Sequence, residues 1–213
     1  MISLNYGDSR PIYEQIKEGL KRLIVTGAMA GYEIQRRKGK LMTTIQSVIM
    51  LGLMIPASIL PTIRMLQSMG IYKTMFSMVM IEIALQTPFT IMLYRGFMSS
   101  IPVDLEEAAS IDGCNRWQIF QKVIFPLLKP IQATIIILVG VQTFNDFTNP
   151  LYFLPGAANT TVQLTLYNYK GQLGNNYNLL FADIIIITVP MLILFLFFNK
   201  RIVAGMVAGA VKG

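Results

Sequence analysis

Few side chains in this sequence are equipped for chemistry. There is no histidine, so no Ser-His or Cys-His nucleophile pair can form and the common zinc sites are excluded. The one cysteine, Cys114, has no second thiol for an internal disulfide. No Gly-rich loop ends in Gly-Lys-Ser/Thr, so a nucleotide's phosphates find no cradle. We therefore expect no catalytic residue, no cofactor and no metal site, and an energy source outside the chain. Two groups of polar residues remain. One comprises Glu82, within an apolar run, and Asn145 with Asp146 in "TFNDFTNPLYFL". The other is the charged stretch "DLEEAASIDGCNRWQIFQKVIFPLLKP", Asp104 to Pro130. The first could touch a polar substrate; the second has the punctuation of a helix–turn–helix.

The elements around them are membrane spans. The 213 residues are 54% hydrophobic and 14% charged, where a soluble domain is nearer ~25% charged. A crossing needs roughly 20 mostly apolar residues. Four segments qualify: Leu41–Ile63, Thr74–Tyr94, about Val123–Phe144 and about Leu179–Phe198. The fold expected is all-α, a polytopic membrane protein of about four transmembrane helices embedded in a lipid bilayer. A net charge of +7 would suit nucleic acid, but most basic residues flank the apolar segments instead of forming one face. No nucleic-acid partner is expected. Near the spans, Arg36, Arg37, Lys38 and Lys40 precede the first, Arg95, Arg116, Lys122 and Lys129 lie between the second and third, and Lys200, Arg201 and Lys212 follow the fourth, eleven against three on the other side: Arg64, Lys73 and Lys170. The positive-inside rule then puts the charged stretch and the C-terminus in the cytoplasm. The loop from Phe147 to Tyr177 faces outside.

Pro56, Pro61 and Pro190 sit inside or at the ends of spans, either as bends lining a pathway or as ordinary membrane-helix prolines. An intramembrane carboxylate such as Glu82 is costly enough to be a substrate-pathway candidate. It also lies close enough to the span's end to reach an interface. Asn145 and Asp146 mark the outer end of the third span and read first as a helix-end polar cluster.

In the charged stretch, Pro102 suits a first helical turn, and Asp104, Glu106 and Glu107 place negative charge at the helix's positive end. Leu105, Ala108, Ala109 and Asp112 fall at i, i+3, i+4 and i+7, so two alanines are expected to make one shallow face open to another protein. Gly113 should end that helix and Asn115 cap the next, whose apolar face is Trp117, Phe120, Val123 and Ile124. An amphipathic hairpin lying on the membrane has the same pattern.

The stretch "EAASIDGCNRWQIFQKVIFP" resembles the Glu-Ala-Ala loop of ABC importer permeases: Glu-Ala-Ala, three residues, Gly, nine residues, then Ile-x-Leu-Pro. Glu107, Ala108, Ala109, Gly113 and Pro126 match in spacing, with Val123 for the Ile and Phe125 for the Leu. "PFTIMLYRGFMSSIPVDLEEAA", "TFNDFTNPLYFL" and "RIVAGMVAGAVKG" are similar to carbohydrate-importer permeases of the maltose type, over about residues 30–213. The resemblance implies a multi-pass subunit of a bacterial inner (plasma) membrane. It implies a cytoplasmic ATPase dimer, a second permease subunit and an extracytoplasmic sugar-binding protein as partners. The loop, with Glu107, Ala108, Ala109, Asp112, Gly113 and Pro126, would dock on the ATPase and transmit its closure to the spans.

Permeases of this type usually have six spans, and the resemblance begins just before the third. Residues 1–29 contain no span and resemble the start of a GntR-family winged-helix regulator, with Ile12, Ile16, Leu20, Leu23 and Ile24 spaced for one apolar face. No recognition helix follows, so an amphipathic cytoplasmic helix is expected there rather than a DNA reader. The domains expected are 1–29, a regulator-like segment, and 30–213, a permease domain without its first two spans. A membrane-tethered regulator and a non-transporting fragment are the competing readings.

Overall fold

The computed structural model describes residues 12–54, 58–154, 161–166, 170–171, 174–175 and 177–210. The chain is helical nearly throughout these. Helices α1 (Ile12–Arg36), α2 (Lys40–Met54), α3 (Ile59–Ser68) and α4 (Met75–Met98) precede the charged stretch. That stretch holds α5 (Asp104–Ile111), α6 (Arg116–Ile119), a π-helical turn (Phe120–Ile124) and α7 (Phe125–Leu127). Helices α8 (Lys129–Asn145), α9 (Thr148–Phe153), α10 (Val162–Thr165) and α11 (Tyr177–Ala210) follow, with a two-residue antiparallel ladder pairing Lys170 with Asn175.

By length and apolarity α4 and α11 each suffice to cross a bilayer unbroken. The other two expected spans are not single helices. The first is divided between α2 and α3, and Pro56 lies outside the described residues. The third does not start at Val123. Its straight part is α8, and the Arg116–Leu127 segment meets it at 69°. The cause is local. In a straight α-helix the ring of Pro126 would strike the carbonyl of Lys122, and it has no N–H to donate. The backbone widens instead into the π turn, in which Phe125 N–H donates to Phe120 O. Counting each broken pair as one span gives four.

The chain forms two compact units. In one (residues 1–19, 57–82 and 140–199), Leu66 of α3, Met78 of α4, and Phe153 and Leu154 at the end of α9 make the core. Tyr72 Oη donates to Tyr152 O at 3.0 Å. The turn from α3 to α4 uses positive φ at Gly70 and at Lys73.

In the other unit (residues 20–56, 83–139 and 200–213), Leu23, Ala28 and Tyr32 of α1 share one core with Tyr94 and Met98 of α4. Phe120, Ile124 and Leu128 complete it with Ile131 and Ile135 of α8. Helix α1 approaches α4 through glycines. A Cβ on Gly27 would lie 2.6 Å from Thr90 Cγ2, and one on Gly31 would lie 2.9 Å from Tyr94 Cβ. Small residues four apart let two backbones come this close. The expected α1 face holds at Leu20, Leu23 and Ile24, which pack on this core, and fails at Ile16. Ile16 is exposed, while Leu23, Gly27, Gly31 and Tyr32 face inward. The 29/30 boundary falls inside α1, and residues 1–11 lie outside the described residues.

Candidate functional site

The candidate site is the turn between α5 and α6, fixed at both ends by backbone bonds. Gly113, at φ +82°, ends α5. Cys114 N–H donates to Ala109 O at 3.0 Å and Gly113 N–H to Ser110 O at 3.1 Å, which together make a Schellman motif. Asp112 is the residue before, its own N–H on Ala108 O. One residue beyond Cys114 the next helix begins with a capping box: Asn115 Oδ1 accepts from Gln118 N, and Asn115 N donates to Gln118 Oε1, both at 2.9 Å. Gly113 and Asn115 therefore act as their types suggest. Only four residues separate the two helices and both helix ends are bonded, so the turn has little freedom of its own.

The two alanines do not share an outer face. Ala109 is buried in the core beside Ile119 and Phe120, and Ala108 is exposed. Successive helical residues differ by ~100°, and the neighbouring core takes Ala109. What α5 offers outward is Leu105, Ala108 and Ile111, the last 86% exposed, with Asp112 and Gly113 at its end. Trp117 of α6 is half-exposed and stacks on Phe120 at 5.9 Å. Glu107 is exposed, and so is Pro126, which acts through the backbone as described above.

The acidic residue that does bond is Glu106. Arg36 Nε donates to Glu106 Oε1 at 2.6 Å, and Tyr32 Oη donates to Glu106 Oε2 at 2.8 Å. Arg36 Nη2 also donates to Ile101 O at 2.9 Å. Burial, then the bond to Glu106 and its negative charge, push the Tyr32 phenol up to about 12, partly opposed by Arg36. Sequence reading placed Glu106 only as a helix-end charge, because its partners lie 70 and 74 residues away.

Among the substrate-pathway candidates, Glu82 and Asp146 come together and Asn145 does not join them. Asn149 Nδ2 donates to Glu82 Oε1 at 3.3 Å, and Thr143 and the Asp146 carboxyl stand at the same carboxylate. Asp146 Oδ1 accepts from Thr148 N at 3.0 Å and Asn149 N at 3.1 Å, starting α9. Asn145 is exposed. Asn149 and Thr143 are additions to this cluster that the sequence reading passed over.

Known proteins similar to this chain show its family. Residues 23–207 match the family described as the inner membrane component of binding-protein-dependent transport systems. The chain is 37% identical over 194 residues to the melibiose/raffinose/stachyose import permease protein MelC of Bacillus subtilis (strain 168), covering 90% of this chain and 70% of that protein. It is 35% identical over 189 residues to the multiple sugar-binding transport system permease protein MsmG of Streptococcus mutans, covering 86% and 68%. In fold it is similar to a chain of a bacterial ABC transporter involved in the import of the acidic polysaccharide alginate. That likeness has a TM-score of 0.64 at 21% identity over 90% of this chain and 76% of that one. The chain belongs to the family of binding-protein-dependent transport system inner membrane components.

Proposed function

We propose that the chain is a permease subunit of an ATP-driven carbohydrate importer, and that α5 and its turn receive the movement of a cytoplasmic ATPase dimer. The observation that carries the reading is the locked turn. The Schellman motif at Gly113 and the capping box at Asn115 join two helices into one rigid piece whose outward surface is Leu105, Ala108, Ile111 and Asp112. A rigid piece transmits displacement, whereas a loop absorbs it. The carbohydrate class rests on the sugars named for the relatives above. A second permease subunit and an extracytoplasmic sugar-binding protein complete the assembly, ATP hydrolysis belongs to the partner, and the C-terminus is cytoplasmic. Glu82 and Asp146, held together with Asn149, are the proposed sugar contacts along the pathway; Asn145, exposed beside them, is the weakest of the three. Helix α1 from Leu23 onward belongs with the permease body, because its inward face builds the same core as α8.

The test replaces Gly113 with valine in the assembled transporter and measures sugar-stimulated ATP hydrolysis and uptake. A β-branched residue is poorly tolerated at positive φ, so the turn re-forms and stimulation is lost. Wild-type stimulation and uptake in that variant would overturn the coupling role.

A further inference from the structure

The outward face of α5 can move the rest of the chain only through what α5 is fastened to. Two kinds of fastening are present in its unit. One is the core contact of Ala109 with Ile119 and Phe120. The other is polar: the Glu106 carboxylate is held by Arg36 on one oxygen and Tyr32 on the other. Both ionic side chains are nearly removed from water, Arg36 at 17% and Glu106 at 12% exposed. Arg36 reaches further, to the Ile101 carbonyl just before α5, so one guanidinium ties both the start of the helix and its first turn. On the adjoining stripe of α1, Gly27 and Gly31 seat it closely against Thr90 and Tyr94 of α4, where a β-carbon would fall 2.6 Å and 2.9 Å from those side chains. Tyr32 follows Gly31 directly, so the seat on α4 and the grip on α5 adjoin within one stretch of α1, residues 27–36.

We infer that Glu106 is a positioning residue whose hold by Arg36 and Tyr32 makes α1, α4 and α5 a single lever, so that displacement of α5 is delivered to α1 and α4. The inference rests on the reading of α5 given under Proposed function and adds the path beyond it. An ion pair at this burial is a poor source of net stability, since desolvation offsets most of its attraction. Its two-point geometry is a better source of directional stiffness. A carboxylate held at both oxygens cannot pivot about its own bonds.

The experiment uses the complete transporter in proteoliposomes, with four forms of this chain: wild type, Glu106→Gln, Arg36→Glu, and the exchange Arg36→Glu with Glu106→Arg. Three quantities are read: co-purification of the ATPase, basal ATP hydrolysis, and sugar taken up per ATP hydrolysed. For Glu106→Gln the expectation is normal co-purification and basal hydrolysis with uptake per ATP lower by roughly five- to tenfold, the scale of a typical coupling term. Arg36→Glu is lower still, and the exchange recovers a large part of the loss. Wild-type uptake per ATP in Glu106→Gln overturns the inference and leaves the role of α5 standing. Loss of ATPase co-purification in Glu106→Gln also overturns it, because the residue then only holds the fold. An exchange no better than Arg36→Glu alone overturns the pairing. If the wild-type chain recruits no ATPase, the reading of α5 fails and the lever fails with it.

Discussion

Gly31 lies against Tyr94 so closely that a β-carbon on the glycine would stand 2.9 Å from the tyrosine's Cβ and 3.3 Å from the backbone nitrogen of Arg95. Neither neighbour can turn aside, since one is the root of a buried side chain and the other is main chain. Gly31→Ala therefore forces α1 away from α4. Overpacking of this kind costs about 1–3 kcal/mol, against roughly 1 kcal/mol gained from alanine's helix propensity. A net loss of thermal stability in detergent is expected. Gly27→Ala should be milder. Its nearest obstacle at 2.6 Å is a methyl of Thr90, which a side-chain rotation can remove. Equal melting temperatures for the two variants would contradict this ranking.

At Gly113 the ranking has another origin. A β-carbon there meets nothing within 4 Å, so only the positive φ opposes substitution. Gly113→Ala should cost about 1–2 kcal/mol, and Gly113→Asn less, because asparagine visits left-handed geometry more readily. Chemical denaturation of the three forms checks the order.

The two inward tyrosines should respond oppositely to loss of their hydroxyls. The Tyr94 hydroxyl is buried with no hydrogen-bond partner among the described residues. Tyr94→Phe removes an unsatisfied polar atom and should leave stability unchanged or raise it, by about 1 kcal/mol at most. The Tyr32 hydroxyl bonds Glu106, so Tyr32→Phe should lower stability by about 1.5 kcal/mol, the scale of a bond to a charged acceptor. Thermal melts of both variants decide.

Tyr32 also predicts a pH effect. Its folded value of about 12 exceeds the ordinary 10. A raised value means that folding favours the protonated phenol, so the stabilisation is complete below pH 10 and disappears as pH climbs from 10 to 12. The gap in melting temperature between wild type and Tyr32→Phe should close across that window. A constant gap would remove the phenol–carboxylate bond from the account.

Glu82→Gln keeps the shape that Asn149 meets but removes the charge. If the cluster contacts sugar, the KM for uptake rises by about tenfold while basal ATP hydrolysis is unchanged, as for the loss of one charge-assisted hydrogen bond. An unchanged KM would leave Glu82 as part of the packing at Asn149.

Elements governed by neighbours in sequence were legible. Gly113 and Asn115 act within three residues of themselves, and both behave as their types require. The unbroken spans α4 and α11 follow from apolar length alone. The inward face of α1 was legible at Leu20, Leu23 and Ile24, but its continuation was not, because that is built on Gly27 and Gly31. A hydrophobic periodicity counts side chains and is blind to a face whose merit is having none. The alanine pair misled for a related reason: composition says that both are small, and only the core tells which one is inside. Pro88 was overlooked as well. It lies within α4, where a β-carbon on Gly52 of α2 would be 3.0 Å from its ring, a proline used as a packing surface. Glu106 required knowledge of what stands 70 residues earlier.

The π turn at Phe120–Ile124 sets the phase between α6 and α8. Five residues complete a loop of backbone where an α-helix would close it with four. Taking one residue out and restoring α geometry would swing everything on the α6 side by about 100° around the axis for about 1.5 Å of travel. The bearing of Asp112 and Ile111 relative to α8 is thus set by a single surplus residue. The chain keeps time between the α5–α6 turn and α8 by the count of residues, as a gear does by its teeth.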